Sequence, residues 1–468
     1  MDQPRPDFEP RFEPVSDTRL RALSDELSQP HHHLELIREP VELARLSVDF
    51  HTYSPVLTAK LRGCEAQLAV KARAVEQVMA VAGACARHGV PLTVRGAGTG
   101  NYGQCVPLAG GVVLDTSPLQ QLRGVDPSNG LCTAEPGCPL ADLDRKLASH
   151  GRSLRMVPST YRTATLGGFI AGGAGGIGSL RWGFLRDPGH LMGLEVVTVE
   201  RQPRRLQLDA PASHALNHAY GSNGIITAVR LSTTESIAWQ ELVVGFDDWQ
   251  AALEVARGLP GTAMLLNALC LVEATIAARL PWPAGCSPPA PGEHRIMLLA
   301  APDSLPLLPH WVQRQGGTVI WQAAQGRSRS LPLRELTWNH TTLHWRGSSP
   351  HWTYLQMLMP SPEEPLLSAV NQRWGNDVLW HLEGVRQQGA PRLAALPLMR
   401  WRGQEDLDAL IAQCRDLGAI IFNPHVITVE DGGLGVIDAD QVAAKAAFDP
   451  DGLLNPGKLG GWFSHSRG

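Results

Sequence analysis

The sequence has no sustained run of Lys or Arg, no closely spaced cysteine pair and no long apolar stretch free of charge. Its 41 basic and 45 acidic residues give a net charge of −4, which leaves no electrostatic footprint for nucleic acid or an acidic membrane surface. The longest apolar stretch, 261–280, is interrupted by Asn267, Glu273 and Arg279. We therefore expect neither a nucleic-acid binder nor a membrane span.

The cysteines also exclude some classes of site. The eight of them are scattered without a C-x-x-C pair, so we expect no structural zinc site and no iron–sulfur cluster held by this chain. Free buried thiols fit a reducing compartment. The polar, proline-bearing start, 1–14, lacks the apolar core of a secretory signal. These features predict a soluble, cytoplasmic protein.

What the chain does contain is enough apolar sequence for several domains. It has 468 residues, 43% of them hydrophobic and 18% charged, which is typical of a globular protein with two or three domains. Twelve of the 13 tryptophans follow Ser236, which indicates a second domain with a different core or an aromatic-lined cavity. We predict four parts: a loosely structured lead-in (1–38), a glycine-rich domain (39–235), a tryptophan-rich domain (236–417) and a final segment (418–468).

Hydrophobic periodicity in the glycine-rich domain indicates alternating strands and helices. Helix 75–88 has apolar residues at helical spacing and ends at Gly89. The domain is therefore predicted to be α+β. Strands are predicted at 66–70, 90–94, 111–115, 194–198 and 224–231, and helices at 75–88 and 140–149.

Two glycine-rich stretches follow predicted strands. The first, R-G-A-G-T-G-N-Y-G at 95–103, matches G-x-G-x-x-G, but a Rossmann site needs a helix to begin at these glycines. Only 104–110 separates the stretch from the next strand, and Pro107 lies within it. No G-K-[S/T] follows either stretch, which excludes a Walker site. The Rossmann interpretation fails as well.

The backbone chemistry of these glycines still points to a ligand. Closely spaced glycines allow several N–H groups to converge on one anion, and Arg95 would add a charge or anchor the loop. The second stretch runs T-L-G-G-F-I-A-G-G-A-G-G-I-G-S at 165–179. Either stretch alone is explained equally well by a tight turn. Together they favour a long nucleotide cofactor lying between them.

Several motifs, in order along the chain, resemble the flavoproteins similar to vanillyl-alcohol oxidase and p-cresol methylhydroxylase (PCMH). The resemblance covers about 45–235 and 418–460. It implies an α+β fold with a two-subdomain, PCMH-type FAD-binding domain and a substrate (cap) domain that has an antiparallel sheet and helices. The motifs are P-L-T-V-R-G-A-G-T-G at 91–100, A-E-P-G at 134–137, P-S-T at 158–160, T-L-G-G at 165–168, G-S-N-G-I-I-T at 221–227 and D-P-D-G-L-L-N-P-G-K-L at 449–459.

The resemblance also implies which residues hold FAD. Many relatives carry a histidine where this chain has Thr99 and attach the flavin through it, so Thr99 implies non-covalent FAD, as in glycolate- and D-lactate-oxidising members. The residues implied to contact FAD are Arg95, Gly96, Ala97, Gly98, Thr99, Gly100, Asn101, Pro158, Ser159, Thr165, Gly167, Gly168, Gly224, Ile225, Ile226, Asn455 and Lys458.

Oxidation of an alcohol requires a group that takes the hydroxyl proton, and histidine is the usual one. His425, shortly before the terminal motif, occupies a place from which a histidine approaches the flavin in similar proteins. His340 lies in the polar, aromatic segment 333–346. If that segment is a strand, Arg334 and His340 share one face with Trp338, Thr342 and His344, and Asn339 takes the other. His425, His340, Asn339 and Arg334 are the candidate catalytic residues; core histidines in an amphipathic strand are the alternative.

These features predict an FAD-dependent oxidoreductase acting on a CH–OH group, with a small 2-hydroxy acid such as glycolate or lactate as substrate. The alternatives are a sugar, alditol or aldonolactone oxidase on the same fold, and a non-catalytic FAD-binding subunit. An acid substrate predicts an arginine in the pocket, from Arg334, Arg346, Arg400 or Arg402; a sugar predicts Asn, Gln and Trp.

The same features bear on the electron acceptor, on oligomerisation and on metal binding. The electron acceptor would be oxygen, a quinone or a separate redox protein, and a homodimer through the tryptophan-rich region is compatible with the sequence. Because the H-x-G-x-G-N-x-H motif of metal-dependent relatives is absent, we expect no catalytic metal.

Overall fold

The first sheet is built at the start of the glycine-rich domain. The computed structural model describes residues 12–173, 175–326 and 331–465. Three parallel strands, in the order β2-β4-β3, carry an antiparallel edge strand, β1. The elements are α1 (Asp17–Leu27), β1 (Glu35–Ile37), α2 (Pro40–Leu46), α3 (Pro55–Lys60), β2 (Leu68–Lys71), α4 (Val75–His88), β3 (Leu92–Arg95) and β4 (Val112–Asp115).

Helix α4 covers this sheet and explains why the N-terminal region is ordered. Its apolar residues at helical spacing, including Val78 and Val81, are fully buried, and it ends at Gly89 in the left-handed conformation (φ 62°). Leu23 and Leu27 of α1 join the same core. The prediction of a loosely structured lead-in is therefore wrong for the described part, because α1 packs on α4; residues 1–11 lie outside the described residues.

The second sheet completes the glycine-rich domain with six antiparallel strands in the order β5-β6-β10-β8-β9, and β7 pairs with the far end of β10. Its strands and helices bury Leu140, Phe169 and Val229 in one apolar core. The elements are β5 (Leu122–Asp126), β6 (Leu131–Ala134), α5 (Leu140–Ala148), β7 (Arg152–Leu154), α6 (Leu166–Gly172), α7 (Ser179–Trp182), β8 (Leu191–Val197), β9 (Arg205–Asp209), α8 (Ala210–His214) and β10 (Ile225–Glu235).

The tryptophan-rich domain is organised on one long antiparallel sheet, as predicted. Eight strands follow the order β14-β11-β13-β12-β18-β19-β16-β21, and β15-β20-β17 form a small separate sheet. The elements are β11 (Gln240–Phe246), α9 (Trp249–Gly258), β12 (Leu266–Val272), α10 (Ala274–Ala277), β13 (His294–Ala300), α11 (Leu308–Arg314), β14 (Thr318–Ala324), α12 (Asn339–Ser348), β15 (Trp352–Tyr354), β16 (Met357–Leu358), α13 (Glu364–Trp374), β17 (Val378–Leu379), β18 (His381–Gln387), β19 (Ala390–Ala395), β20 (Leu398–Arg400), α14 (Gln404–Asp416) and β21 (Ile420–Ile421).

The final segment returns to the first sheet and places its terminal motif beside β3. Leu92 donates its N–H to the Leu453 carbonyl at 2.9 Å, and Asn455 donates to the Leu92 carbonyl at 2.7 Å. Because β21 belongs to the tryptophan-rich sheet, the chain leaves that domain a few residues later than 417. Three helices follow: α15 (Val429–Gly432), α16 (Ala439–Phe448) and α17 (Gly460–His465).

Two further predictions from the sequence, on the cysteines and on segment 333–346, can be compared with the structure. All eight cysteines are free thiols, five of them buried. Segment 333–346 is not a strand: it forms a 3₁₀ turn, Leu333–Leu336, followed by α12. The prediction of a strand is wrong because Thr341 and Trp345, four residues apart, are both buried, which is helical spacing. Within the described part of the chain, no helix is long and apolar enough to cross a membrane.

Candidate active site

The first glycine-rich loop leaves β3 and forms one wall of a deep cleft. Gly98 has φ 67°, and a Cβ there would lie 2.1 Å from the Arg95 guanidinium. Arg95 folds back beneath the loop and donates to the carbonyls of Leu46 (3.2 Å) and Val48. Arg95 therefore anchors the loop and does not line the cleft, so the backbone of the loop faces the cleft unobstructed.

The second glycine-rich stretch forms the opposite wall at the start of α6. A Cβ on Gly96 would lie 2.1 Å from the Thr165 hydroxyl, and one on Gly167 would lie 2.5 Å from Pro136 Cβ. The two walls therefore meet with room only for glycine at these points. The Thr165 hydroxyl is buried and has no partner among the described residues, so it is available to a molecule in the cleft.

The cleft between these walls has a volume of about 450 Å³ and extends to the first turn of α12 in the cap domain. Of the predicted cofactor-contacting residues, Arg95, Ile225, Asn455 and Lys458 lie outside the lining. The others line it: Gly96, Ala97, Gly98, Thr99, Gly100, Asn101, Pro158, Ser159, Thr165, Gly167, Gly168, Gly224 and Ile226.

Asn455 and Lys458 form a layer behind the first loop. The Asn455 amide donates to the carbonyls of Gln104 (2.8 Å) and Tyr220 (2.6 Å), both cleft residues. The Lys458 ammonium donates to the Gly103 carbonyl at 2.6 Å, and burial lowers its pKa to about 8. The terminal motif thus shapes the cleft through the loop backbone.

The cap closes one end of the cleft with the beginning of α12. Trp338, which precedes the helix, has φ 52° and ψ −138°, a strained conformation for a bulky residue. The Asn339 amide oxygen accepts from Gln356 at 3.1 Å, and Gln356 accepts from the Tyr102 hydroxyl at 2.9 Å. This chain of hydrogen bonds joins the cap wall to the first glycine-rich loop.

His340, one residue further along α12, is part of a charged group at the mouth of the cleft. Its Nδ1 lies 3.1 Å from one Glu335 carboxylate oxygen, and Arg162 Nε forms an ion pair with the other oxygen at 2.9 Å, which has no hydrogen-bond donor among the described residues. Burial alone would raise the pKa of Glu335, but the hydrogen bond and charge of His340, with Arg162 and Arg334, hold that pKa below its usual value. Glu335 is therefore a carboxylate that orients the imidazole.

The other two predicted catalytic residues lie outside the cleft lining. His425 is buried: its Nδ1 accepts from the Ser54 hydroxyl at 2.7 Å, and its Nε2 donates to the Tyr354 carbonyl at 2.8 Å. Burial lowers its pKa to about 4, and neither nitrogen is left for a substrate. Arg334 stacks on the Tyr161 ring, 4.4 Å from its centroid. Of the four candidates, the structure brings Asn339 and His340 to the cleft.

Sequence reasoning missed several residues of the lining. Glu335 lies within segment 333–346, and its proximity to His340 in the chain was the available signal. Arg162 lies two residues after the P-S-T motif, close to residues already assigned to the cofactor. Tyr102 lies within the first glycine-rich stretch, Gln104 directly follows it, and Tyr220 directly precedes the G-S-N-G-I-I-T motif. His218 and Gln356 carry no local pattern that marks them.

These observations fit FAD. The glycine-rich backbone along the cleft can lie close to a pyrophosphate. The buried Thr165 hydroxyl and the N–H groups of the loop are hydrogen-bond donors for the phosphates and the ribityl chain. The aromatic and polar cap wall would face the ring system, which supplies hydride acceptance when bound. The residues that would hold FAD are thus the two glycine-rich walls together with Tyr102, His218 and Tyr220.

Comparison with known proteins gives the same cofactor. Residues 66–201 match the model of the FAD binding domain. The chain is 25% identical over 419 residues, 84% of this chain and 83% of the relative, to glycolate oxidase subunit GlcD of Escherichia coli (strain K12). It is 35% identical over 147 residues, 31% of this chain and 32% of the relative, to a D-lactate dehydrogenase of Archaeoglobus fulgidus.

A likeness among solved structures supports the fold. An alkyldihydroxyacetonephosphate synthase superposes with a TM-score of 0.71 at 14% identity, over 97% of this chain and 86% of that one. The chain is thus an FAD-dependent oxidoreductase with an FAD-binding domain of the PCMH type, and it is similar to GlcD and to this D-lactate dehydrogenase.

Proposed function

We propose that this enzyme oxidises the CH–OH group of a small 2-hydroxy acid. The observation that carries the proposal is the group formed by His340, Glu335 and Arg162 where the cap meets the FAD cleft. The relatives named above are a glycolate oxidase subunit and a D-lactate dehydrogenase, and glycolate and D-lactate are both 2-hydroxy acids. Bound FAD would supply the hydride acceptor at N5.

His340 is the residue we assign to the hydroxyl proton. With Nδ1–H donated to Glu335, Nε2 is the nitrogen left to accept the proton, and no hydrogen bond to it is found among the described residues. Glu335 stabilises the imidazolium that forms when His340 takes the proton. Trp338 and Leu343, also in the lining, keep water from the reacting carbon.

Arg162 is the residue we assign to the substrate carboxylate. It is the arginine in the cleft lining of the described chain, whereas Arg334, Arg346, Arg400 and Arg402 lie outside it. Its side chain is 61% exposed and holds Glu335 through one nitrogen, Nε. The two Nη groups are therefore free to bind a carboxylate in a bidentate manner.

A sugar or alditol substrate is the second candidate. Trp338, Asn339 and Gln356 line the cleft, and this is the lining expected for a polyol. In that case Asn339 and Gln356 would bind hydroxyls, and Arg162 would serve only to orient Glu335. The electron acceptor (oxygen, quinone or a redox protein) is open in both cases.

Anaerobic mixing of the FAD-loaded enzyme with candidate substrates tests the proposal. We expect glycolate, lactate or 2-hydroxyglutarate to bleach the visible flavin band, and alditols and aldonolactones to leave it unchanged. His340→Gln should slow bleaching by about 10²–10⁴-fold with FAD content unchanged. His344→Gln is the matched control: it lies one turn along α12, and its ring contacts the Glu335 carbonyl outside the lining. Bleaching by alditols alone would establish the second candidate.

Arg162→Met separates the two substrate classes. For an acid, loss of a bidentate pair should weaken substrate binding by about tenfold or more. An alditol should bind the variant as well as the parent enzyme. Equal loss for both classes would contradict the carboxylate role of Arg162.

A further inference from the structure

A group of arginines outside the cleft forms no ion pair with a carboxylate in the described part of the chain. Arg155 and Arg181 both lie over the ring of Trp182, with guanidinium carbons 4.5 and 4.6 Å from its centroid. Arg152 lies beside Arg155 at β7. We call these four residues the arginine cluster; none of them lines the FAD cleft.

The hydrogen bonds of the cluster go to neutral acceptors. Arg152 donates to the Thr233 hydroxyl (2.9 Å) and carbonyl (3.2 Å), and Arg155 donates to the carbonyls of Thr233 (3.3 Å) and Gly189 (2.9 Å). Within the described ranges, none of the three arginines has a carboxylate within ion-pair distance. Glu235, which is exposed, lies opposite Arg152 in the β7–β10 ladder without forming an ion pair with it, and its charge also opposes the lowering of the Arg181 pKa by burial.

Two N–H donors of the cluster are buried without an acceptor. They are Arg181 Nη1 and the indole Nε1 of Trp182, adjacent residues at the end of α7. A buried donor left unpaired is destabilising, and one beside uncompensated charge is more so. Burial lowers the guanidinium pKa of Arg155 and of Arg181, and the charges of Arg152 and Arg181 lower that of Arg155 further.

We propose that the arginine cluster binds a small multiply charged oxyanion, of which inorganic phosphate is the type. An oxyanion accepts from planar guanidinium groups with matched geometry. A cation would be repelled by three like charges. A neutral ligand would leave those charges unpaired, so neither fits the cluster.

The arginine cluster lies outside the FAD cleft, so binding at the cluster does not require the cofactor. Its arginines lie in the segments 152–155 and 179–182, whereas the cleft is lined by residues of the neighbouring stretches 158–165 and 167–173 and by Gly175. Phosphate should therefore bind the FAD-loaded enzyme without displacing FAD and without any hydroxy acid present.

Thermal unfolding of the FAD-loaded enzyme at constant ionic strength tests the proposal. Replacing chloride by millimolar phosphate should raise Tm by a few degrees and saturate, because a ligand of the native state stabilises it by mass action. Arg181→Gln should abolish the rise while being no less stable than the parent in chloride, since it removes an unpaired buried donor and charge. Arg373→Gln is the matched control: this guanidinium also stacks on a tryptophan, Trp374, at 5.0 Å, but it is exposed and alone.

Two results would overturn the proposal. One is a phosphate-induced rise in Tm of equal size in Arg181→Gln and the parent. The other is the absence of saturable heat when phosphate is titrated into the parent enzyme by calorimetry, a measurement that does not depend on any variant folding. A rise lost in Arg181→Gln and kept in Arg373→Gln would establish the site.

Discussion

At the residue scale, the strained backbone of Trp338 is held by a buried carboxylate. Glu383 Oε1 accepts from the Trp338 N–H at 2.6 Å and from His381 Nε2 at 2.7 Å. Both Glu383 and His381 are essentially inaccessible to solvent. Since a positive φ at a tryptophan persists only where its surroundings fix it, this pair sets the start of α12 and thereby the positions of Asn339 and His340.

Glu383→Ala should therefore impair turnover at a distance from the substrate. It leaves the Trp338 N–H unpaired in the interior, which we expect to destabilise the fold by about 1–3 kcal/mol and to lower kcat by about tenfold or more. Glu383→Gln retains an acceptor and should recover most of kcat. The pH profile of kcat/KM should keep its shape in both variants, because His340 and Glu335 are unchanged. A normal kcat in Glu383→Ala would contradict the positioning role.

His425 leads to a prediction about acid stability. Its pKa is lowered from 6.5 to about 4 by burial, so the unfolded chain binds a proton that the native state does not. Its contribution is therefore complete above pH 6.5 and is lost as the pH falls toward 4, on the order of 3 kcal/mol in total. His218, with a pKa of about 4 for the same reason, acts in the same direction.

His425→Gln should flatten this dependence in part. The variant loses the bonds to Ser54 and Tyr354 and should be less stable at pH 7. Its free energy of unfolding should then fall less steeply between pH 6.5 and 4 than that of the parent, with the remaining slope due to His218 and to the other groups whose pKa is lowered in the folded state. Urea unfolding followed across this range measures both slopes. Parallel curves would show that His425 does not titrate as its burial requires.

At the scale of elements, the first glycine-rich loop should tolerate no side chain at its central turn. In Gly98→Ala, the positive φ is strained and the new Cβ would meet the Arg95 guanidinium at 2.1 Å, which must then release the carbonyls it anchors. We expect FAD content per chain, read from the visible spectrum, to fall severalfold or more. Gly124→Ala, in β5 with open space around it, should keep full FAD content. Equal FAD content in both variants would show that the loop does not form the cradle.

The helices and strands that were predicted correctly are those in which the apolar spacing and the residues at each end indicate the same structure. Helix α4 has apolar spacing, a basic last turn and a terminal glycine, and it was found at Val75–His88 as predicted. The five strands predicted in the glycine-rich domain, β2, β3, β4, β8 and β10, were found within a few residues of their predicted positions, whereas β1, β5, β6, β7 and β9 were not predicted. Apolar periodicity decides such elements before any tertiary contact is made.

Segment 333–346 shows why the rest could not be predicted. Its polar and aromatic residues fit a strand or a helix equally well, and the choice is made by tertiary contacts. His340 and His344, one turn apart, both contact Glu335, and Glu383 from β18 fixes Trp338. Arg162 was not predicted for a similar reason. Its position at the mouth of the cleft depends on how the cap domain packs against loop 158–165.

At the scale of the whole molecule, the final segment joins parts of the chain that are far apart in sequence. It runs beside β3 through Leu92, and from behind the first loop the Asn455 amide links the carbonyl of Gln104 to that of Tyr220, both residues of the cleft lining. Asn455 itself has φ 41°, a conformation that asparagine tolerates better than most residues. Assembly of the FAD site therefore requires the last tenth of the chain to dock.

Asn455→Asp tests this role because it preserves size and changes only the donors. The carboxylate cannot donate to either carbonyl and would repel both, so the two walls should lose their fixed spacing. With about 1 kcal/mol for each lost hydrogen bond, we expect the Kd for FAD to rise about tenfold to a hundredfold, measured by titrating FAD into the apoprotein. Asn455→Gly, which relieves the positive φ but also lacks the donors, should weaken FAD binding less than the aspartate. Unchanged affinity in Asn455→Asp would mean that the terminal motif stabilises the fold without shaping the cofactor site.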